Sequence, residues 1–242
     1  MKSAYVLLAA AAIFASAACD AKGDKTSTAA AAGPIKPVAP PQGGDWTKVA
    51  SFTPEGGVLV GNPNADVKLV EYGSMTCPHC AEFAEKGGPA LLQNYVKSGR
   101  VSWEFRNFLR DGLDMSMTLI SRCGGPEKFV TLSDALFKSQ RSLFEKAQAA
   151  TPEQQQAATD PAGFANLVGL QGWAAQRGIP SAKANACLAD QALATQIMNT
   201  SNDVVNQFPD FKGTPSFIIN GKLLDATATW DKLEPQLRDA IG

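Results

Sequence analysis

Apolar residues follow two different periodicities along this chain, and the switch between them marks its organisation. Val58-Leu59-Val60 and Val67 to Tyr72 are short runs rich in β-branched residues, the second bounded by Asn62-Pro63-Asn64 and Gly73-Ser74, and they predict strands. Val101 to Phe108 alternates, with Val101, Trp103 and Phe105 on one side and Ser102, Glu104 and Arg106 on the other. Pro78 opens a helical stretch, because proline suits a first helical position whose N–H has no partner anyway. Gly87-Gly88-Pro89 is expected to break or kink it before Leu91, Leu92, Tyr95 and Val96 resume an apolar face.

From about Gly112 to Phe208 strand signals stop. Glu127 to Gln140 carries Phe129, Leu132, Leu136 and Phe137 at helical spacing, and Pro161, Gly163, Gly169, Gly172, Gly178 and Pro180 divide the rest into short helices. Strands return at Ser216 to Asn220, where Asn220-Gly221 is a hairpin turn pair leading into Lys222-Leu223-Leu224. A final helix starts at Thr229 and places Leu237 and Ile241 on its apolar side. The pattern predicts an α/β fold, residues 46–111 and 209–242, with a helical domain at 112–208 inserted between its strands.

The N-terminal region differs. Residues 1–18 read as a secretory signal, with Lys2 as the positive start, Val6 to Phe14 as the apolar run and Ala15 to Ala18 as small residues for cleavage. Residues 19–45 are rich in Ala, Pro, Gly, Lys and Thr and poor in large apolar side chains, a composition that reads as a flexible tether. Basic residues number 22 and acidic residues 23, with no long run of either sign, so a nucleic-acid footprint is not expected. Export places the five cysteines where disulfides persist.

Cys77-Pro78-His79-Cys80 lies where a strand turns into a helix. Unpaired N–H groups and the positive helix end favour a thiolate at Cys77, while Cys80, one turn further in, can close a disulfide with it or resolve a mixed disulfide. His79, the only histidine, can add a hydrogen bond or positive charge at the Cys77 sulfur. Haem attachment is excluded because Ala81 follows the second cysteine. Structural zinc wants four ligands that this chain does not supply nearby, and a purely structural disulfide is the remaining bland alternative.

On this tetrapeptide, the preceding Lys68-Leu69-Val70-Glu71-Tyr72 strand, Gly213-Thr214-Pro215-Ser216-Phe217 and the Asn220-Gly221 hairpin with its final helix, the chain resembles the DsbA family of the thioredoxin fold over roughly residues 56–242. The resemblance implies a thioredoxin-like fold with an inserted helical domain, an acidic nucleophilic cysteine and an oxidising potential. It implies that Pro215 is cis and, with Thr214, presents backbone to an extended substrate segment. Glu71 matches the acidic residue that the family places under its active site, where it would relay the proton of Cys80; a solvated strand glutamate is the alternative. Thr214 departs from the valine of the best-known oxidases and is more familiar in related isomerases and reductases.

The resemblance thus implies an exported thiol:disulfide oxidoreductase that donates the Cys77–Cys80 disulfide to reduced exported proteins and is reoxidised by a membrane redox partner. It needs no cofactor or metal and is expected to be a monomer. A disulfide isomerase or reductase kept reduced is the alternative enzyme, and a holdase-like peptide-binding module is the non-enzymatic one. Cys19, directly after Ser16-Ala17-Ala18, is expected to be lipid-modified and to hold the protein at the plasma membrane, although lipoprotein signals usually have leucine where Ser16 stands. With Cys19 so used and Cys77 paired with Cys80, Cys123 and Cys187 remain for a structural disulfide, as some DsbA-like proteins carry in that domain; two buried free thiols are the alternative.

Overall fold

The computed structural model describes residues 35–40 and 43–242. The signal segment 1–18, Cys19 and most of the expected tether lie outside the described residues. A 3₁₀ turn at Trp46–Lys48 precedes β1 (Ala50–Phe52), β2 (Val58–Gly61) and β3 (Val67–Gly73). Next come α1 (Pro78–Lys86), α2 (Gly88–Ala90), a π-helical turn at Leu91–Val96 and β4 (Val101–Asn107). The helical block is α3 (Gly112–Arg122), α4 (Pro126–Ala149), α5 (Pro152–Ala157), α6 (Pro161–Val168), α7 (Leu170–Ala175), α8 (Ser181–Leu188) and α9 (Gln191–Gln207). The chain closes with β5 (Ser216–Ile219), β6 (Lys222–Leu223) and α10 (Trp230–Ile241).

The six strands form one sheet in the order β1-β2-β4-β3-β5-β6, with β3 and β4 parallel and every other neighbouring pair antiparallel. Strand β3 is therefore central, and its register decides what alternation left open. Glu71 stands opposite Phe105 of β4 and Phe217 of β5, on the same face as the buried Val67 and Leu69. Lys68, Val70 and Tyr72 point to the other face, where Tyr72, Val204 and Ile218 form a smaller core with Phe208 and Phe211.

Where the structure differs from the pattern, the causes are tertiary. The Gly87-Gly88-Pro89 stretch interrupts the helix, α1 ending at Lys86 and α2 starting at Gly88, while the chain keeps a helical course across it: Gly87 N–H donates to Phe83 O (2.8 Å) and Leu91 N–H to Gly87 O (2.9 Å). A Cβ on Gly87 would lie 3.0 Å from both Phe83 and Trp230, so this glycine serves the close approach of α10. β1 has no alternation of its own and is held by antiparallel pairing to β2. Residues 35–40, within the span that composition reads as tether, lie against the domain: Val38 N–H donates to Ser98 O (2.7 Å) and Trp46 Nε1 to Val38 O (2.9 Å). Backbone hydrogen bonds of this kind leave no trace in composition. At the hairpin, Asn220 (φ 49°) and Gly221 (φ 83°) both take positive φ, as a two-residue I′ turn demands.

Within the insertion, a disulfide joins Cys123, which ends α3, to Cys187 of α8, with Cα atoms 5.7 Å apart and a sequence separation of 64. Among the described residues no helix is long and apolar enough to cross a membrane. Closing a loop of this length removes roughly 4 kcal/mol of chain entropy from the unfolded state. The Cys123→Ala/Cys187→Ala variant is therefore expected to unfold at lower denaturant concentration with its far-ultraviolet circular dichroism unchanged. An unaltered unfolding midpoint would show that the bond does not stabilise the domain.

Candidate active site

Cys77 is the N-cap of α1 (φ −87°, ψ 120°) and Pro78 its first helical residue, so the sulfur stands at the helix end whose N–H groups lack helical partners, without closing a side-chain capping bond. Cys77 and Cys80 are free thiols, 5% and 0% exposed. Across from them the Thr214–Pro215 peptide bond is cis, and Cys77 Sγ lies 3.2 Å from Thr214 O, where the thiol donates.

The two sulfurs have opposite electrostatics. The hydrogen bond from Cys80 is the main influence that pulls Cys77 down to about 5; the Thr214 side chain and the backbone N–H groups of Cys80 and His79 add to it, against a desolvation that opposes it. Cys80 is pushed well above an ordinary thiol, by burial first and then by the neighbouring Cys77 and Glu71. A thiolate is thus favoured at the outer sulfur and disfavoured at the inner one.

His79 acts differently from the sequence expectation. Its side chain is 76% exposed and turned along α1, with Nδ1 3.8 Å from Glu82 Oε2. Its part in holding the thiolate comes from its backbone N–H, because the helix start aims the main chain, not the imidazole, at Cys77.

Glu71 is 2% exposed, and its Oε2 accepts from Trp103 Nε1 at 3.0 Å. Burial raises its carboxyl to about 8, against the lowering effect of the Trp103 hydrogen bond, and the Cys77 charge raises it further. It lines a largely apolar cleft of about 370 Å³ together with Phe83, Leu91, Trp103, Phe105 and Phe137. At neutral pH this carboxyl is mostly protonated and can supply a proton to a neighbouring thiolate.

Residues that the sequence reading passed over hold the turn between β3 and α1. Asp114 accepts from Ser74 Oγ (2.6 Å), Met75 N–H (2.8 Å) and Arg110 N–H (3.1 Å). Arg110 Nη1 donates to Thr76 O at 2.8 Å, and Gln140 Nε2 donates to Met75 O (2.9 Å) and Cys77 O (3.1 Å). One signal was available: Gln140 falls at helical spacing after Leu136 and Phe137, a polar residue on an otherwise apolar stripe.

A central strand running into a C-x-x-C at a helix N-terminus, opposite a cis-proline loop, defines the thioredoxin class of redox fold, here with a helical block inserted. The family model described as thioredoxin matches residues 53–239, and the chain belongs to that family. A solved structure named as a protein-disulfide isomerase from Novosphingobium aromaticivorans is 34% identical, with a TM-score of 0.72, covering 80% of this chain and 100% of that one. The α-DsbA1 structure of Wolbachia pipientis shares the fold, at 21% identity and a TM-score of 0.61 over 76% of this chain and 90% of that one. Among curated relatives, a Rickettsia prowazekii protein named as a protein-disulfide oxidoreductase is 30% identical over 177 residues, 72% of this chain. The chain spans only 58% of the length of that relative. The DsbA resemblance drawn from the tetrapeptide, and the thioredoxin-like fold with inserted helices, are confirmed.

Two measurements check the electrostatics. Thiolate absorbance of the reduced protein against pH is expected to show a midpoint near 5 for Cys77, and Thr214→Val, which keeps the shape but loses the hydroxyl, is expected to raise it. A wild-type midpoint near the ordinary thiol value of about 8.5 would refute the assignment. Glu71 has a folded pKa raised above its unfolded one, so its contribution to stability is present below about 4.5 and is lost as pH rises through about 8. Glu71→Gln is accordingly expected to stabilise the protein by a few kcal/mol, on the order of the shift, above pH 8 and hardly at all below pH 4.5. Equal effects at both ends would place the Glu71 carboxyl in solvent.

Proposed function

We propose that this protein is an exported DsbA-type thiol:disulfide oxidoreductase that donates the Cys77–Cys80 disulfide to reduced proteins. The observation that carries the reading is the split between an acidic, N-capping Cys77 and a buried, strongly basic Cys80 beside a cis-proline loop. A substrate thiolate attacks Cys77 Sγ of the oxidised protein; the Cys77–Cys80 bond breaks as the mixed disulfide forms, and Cys80 leaves and takes a proton, for which Glu71 is the nearby source. A second substrate thiolate then attacks the substrate sulfur of the mixed disulfide and releases Cys77 as thiolate. Two electrons pass to the protein and the substrate gains a disulfide.

The direction follows from the leaving group. A lower Cys77 pKa stabilises the reduced protein, at about 1.4 kcal/mol or about 30 mV per unit for a two-electron couple. Thr214 and Pro215 would line the substrate segment by their backbone. In this reading a membrane redox partner restores the disulfide, the Cys123–Cys187 bond stays outside the exchange, and lipid at Cys19 keeps the monomeric protein at the plasma membrane. The sequence features of residues 1–19 support export and anchoring.

A second reading, an isomerase or reductase, is favoured by Thr214 and by the name of the Novosphingobium relative. Equilibrating the Cys77–Cys80 couple with glutathione separates the two: the proposal expects a potential more oxidising than the glutathione pool, and a strongly reducing value would favour the second. Cys77→Ser is expected to abolish oxidation of a reduced model substrate. Activity retained in Cys77→Ser/Cys80→Ser would instead point to peptide binding without redox chemistry.

A further inference from the structure

The turn from β3 to α1 cannot satisfy all of its own polar groups, and the inserted helices, with the loop that leads into them, meet the rest. Locally, Ser74 O accepts from Cys77 N–H (3.2 Å), Ser74 Oγ accepts from Thr76 N–H (3.2 Å) and shares a bond with Thr76 Oγ1 (3.2 Å), and Ser74 N–H reaches Cys80 Sγ (3.5 Å). Met75 N–H, Met75 O and Thr76 O are all met from outside, by Asp114, Gln140 and Arg110. Asp114 lies in the first turn of α3 and Arg110 in the loop just before it. Gln140 alone reaches across from α4, and among these partners it alone touches Cys77.

We propose that Gln140 is a positioning residue for the Cys77 nucleophile, its amide bridging the carbonyls of Met75 and Cys77 so that the sulfur stays over the first turn of α1. The inference rests on the oxidoreductase reading and deepens it. Gln140 is 6% exposed and lies in the stripe of Phe129, Leu132, Leu136, Phe137 and Leu143, where a leucine or methionine would pack without the cost of burying an amide. Both carbonyls gain from it: Met75 O has no other hydrogen-bond partner among the described residues, and Cys77 O otherwise receives only Ala81 N–H, at 3.2 Å. Releasing them lets the turn relax. Cys77 Sγ then moves away from the N–H groups of His79 and Cys80 and from the Thr214 side chain, contacts that favour its thiolate. The insertion thereby becomes part of the redox centre, acting through backbone geometry without touching substrate.

Gln140→Met keeps the length and the apolar packing and removes both donors. Thiolate titration of the reduced full chain is expected to show the Cys77 midpoint raised by about half a unit or more, the equivalent of one lost hydrogen bond. The potential should become less oxidising in step, at about 30 mV per unit. Leu143→Ala, one turn along α4 and 2% exposed, is the control for helix stability: it should lower Tm and leave the midpoint in place. If Gln140→Met does not fold, Gln140→Asn, which keeps the amide but is too short to bridge both carbonyls, reads the same shift. A wild-type midpoint in the folded variant, or an equal shift in Leu143→Ala, would overturn the proposal. The titration does not depend on catalysis, so a wild-type protein that fails to oxidise substrate would sink the oxidoreductase reading while this comparison still decides the role of Gln140.

Discussion

The burial of Cys80 and Glu71 beneath the first turn of α1 is the constraint on which the rest of the site depends. Cys80 is fully buried there and Glu71 nearly so, and burial is the first cause of the rise in both. Cys77, at the rim, instead collects the hydrogen bonds that favour charge. Two identical thiols three residues apart are driven in opposite directions by the difference in their surroundings, the difference on which the proposed direction of exchange rests.

Both parts of the chain supply that burial. Phe105 and Phe217 flank Glu71 in the sheet, and Phe83 of α1 packs on Phe217 with ring centroids 4.7 Å apart. From the insertion, Phe129 meets Phe105 at 5.5 Å and Phe137 at the same ring lies 6.5 Å away. The aromatic cluster therefore joins the sheet to α4 directly under the active site. The same helix carries Gln140, so packing and the positioning of the active-site turn are delivered by one element.

The insertion also answers an accounting problem. A tight turn feeding a helix leaves backbone groups that neither strand nor helix can pair, and buried unpaired groups cost about 1–3 kcal/mol each. Asp114, Arg110 and Gln140 take up these groups at residues 74–77. Asp114 remains unusual in this role: burial raises its carboxyl to about 6 even though Ser74, Met75 and Arg110 donate to it.

Much of this was legible in the residues alone, wherever the information is local. The switch from period-two to helical spacing located the strands and the helical block, because each period reflects one face meeting a core. Asn220-Gly221 specified its hairpin, because few other pairs accept positive φ at both positions. Cys77-Pro78-His79-Cys80 located the candidate site, because the helix start supplies N–H groups whatever the surrounding fold. What only the tertiary structure decided depends on partners distant in sequence. The face of Glu71 was set by register against Phe105 and Phe217, and the orientation of His79 by its place along α1 beside Glu82. The close packing of Trp230 on Gly87 was set by the position of α10, and the part played by Gln140 by carbonyls 65 and 63 residues before it. Periodicity reports which residues are buried, whereas pairing in space settles what each buried polar group is bonded to.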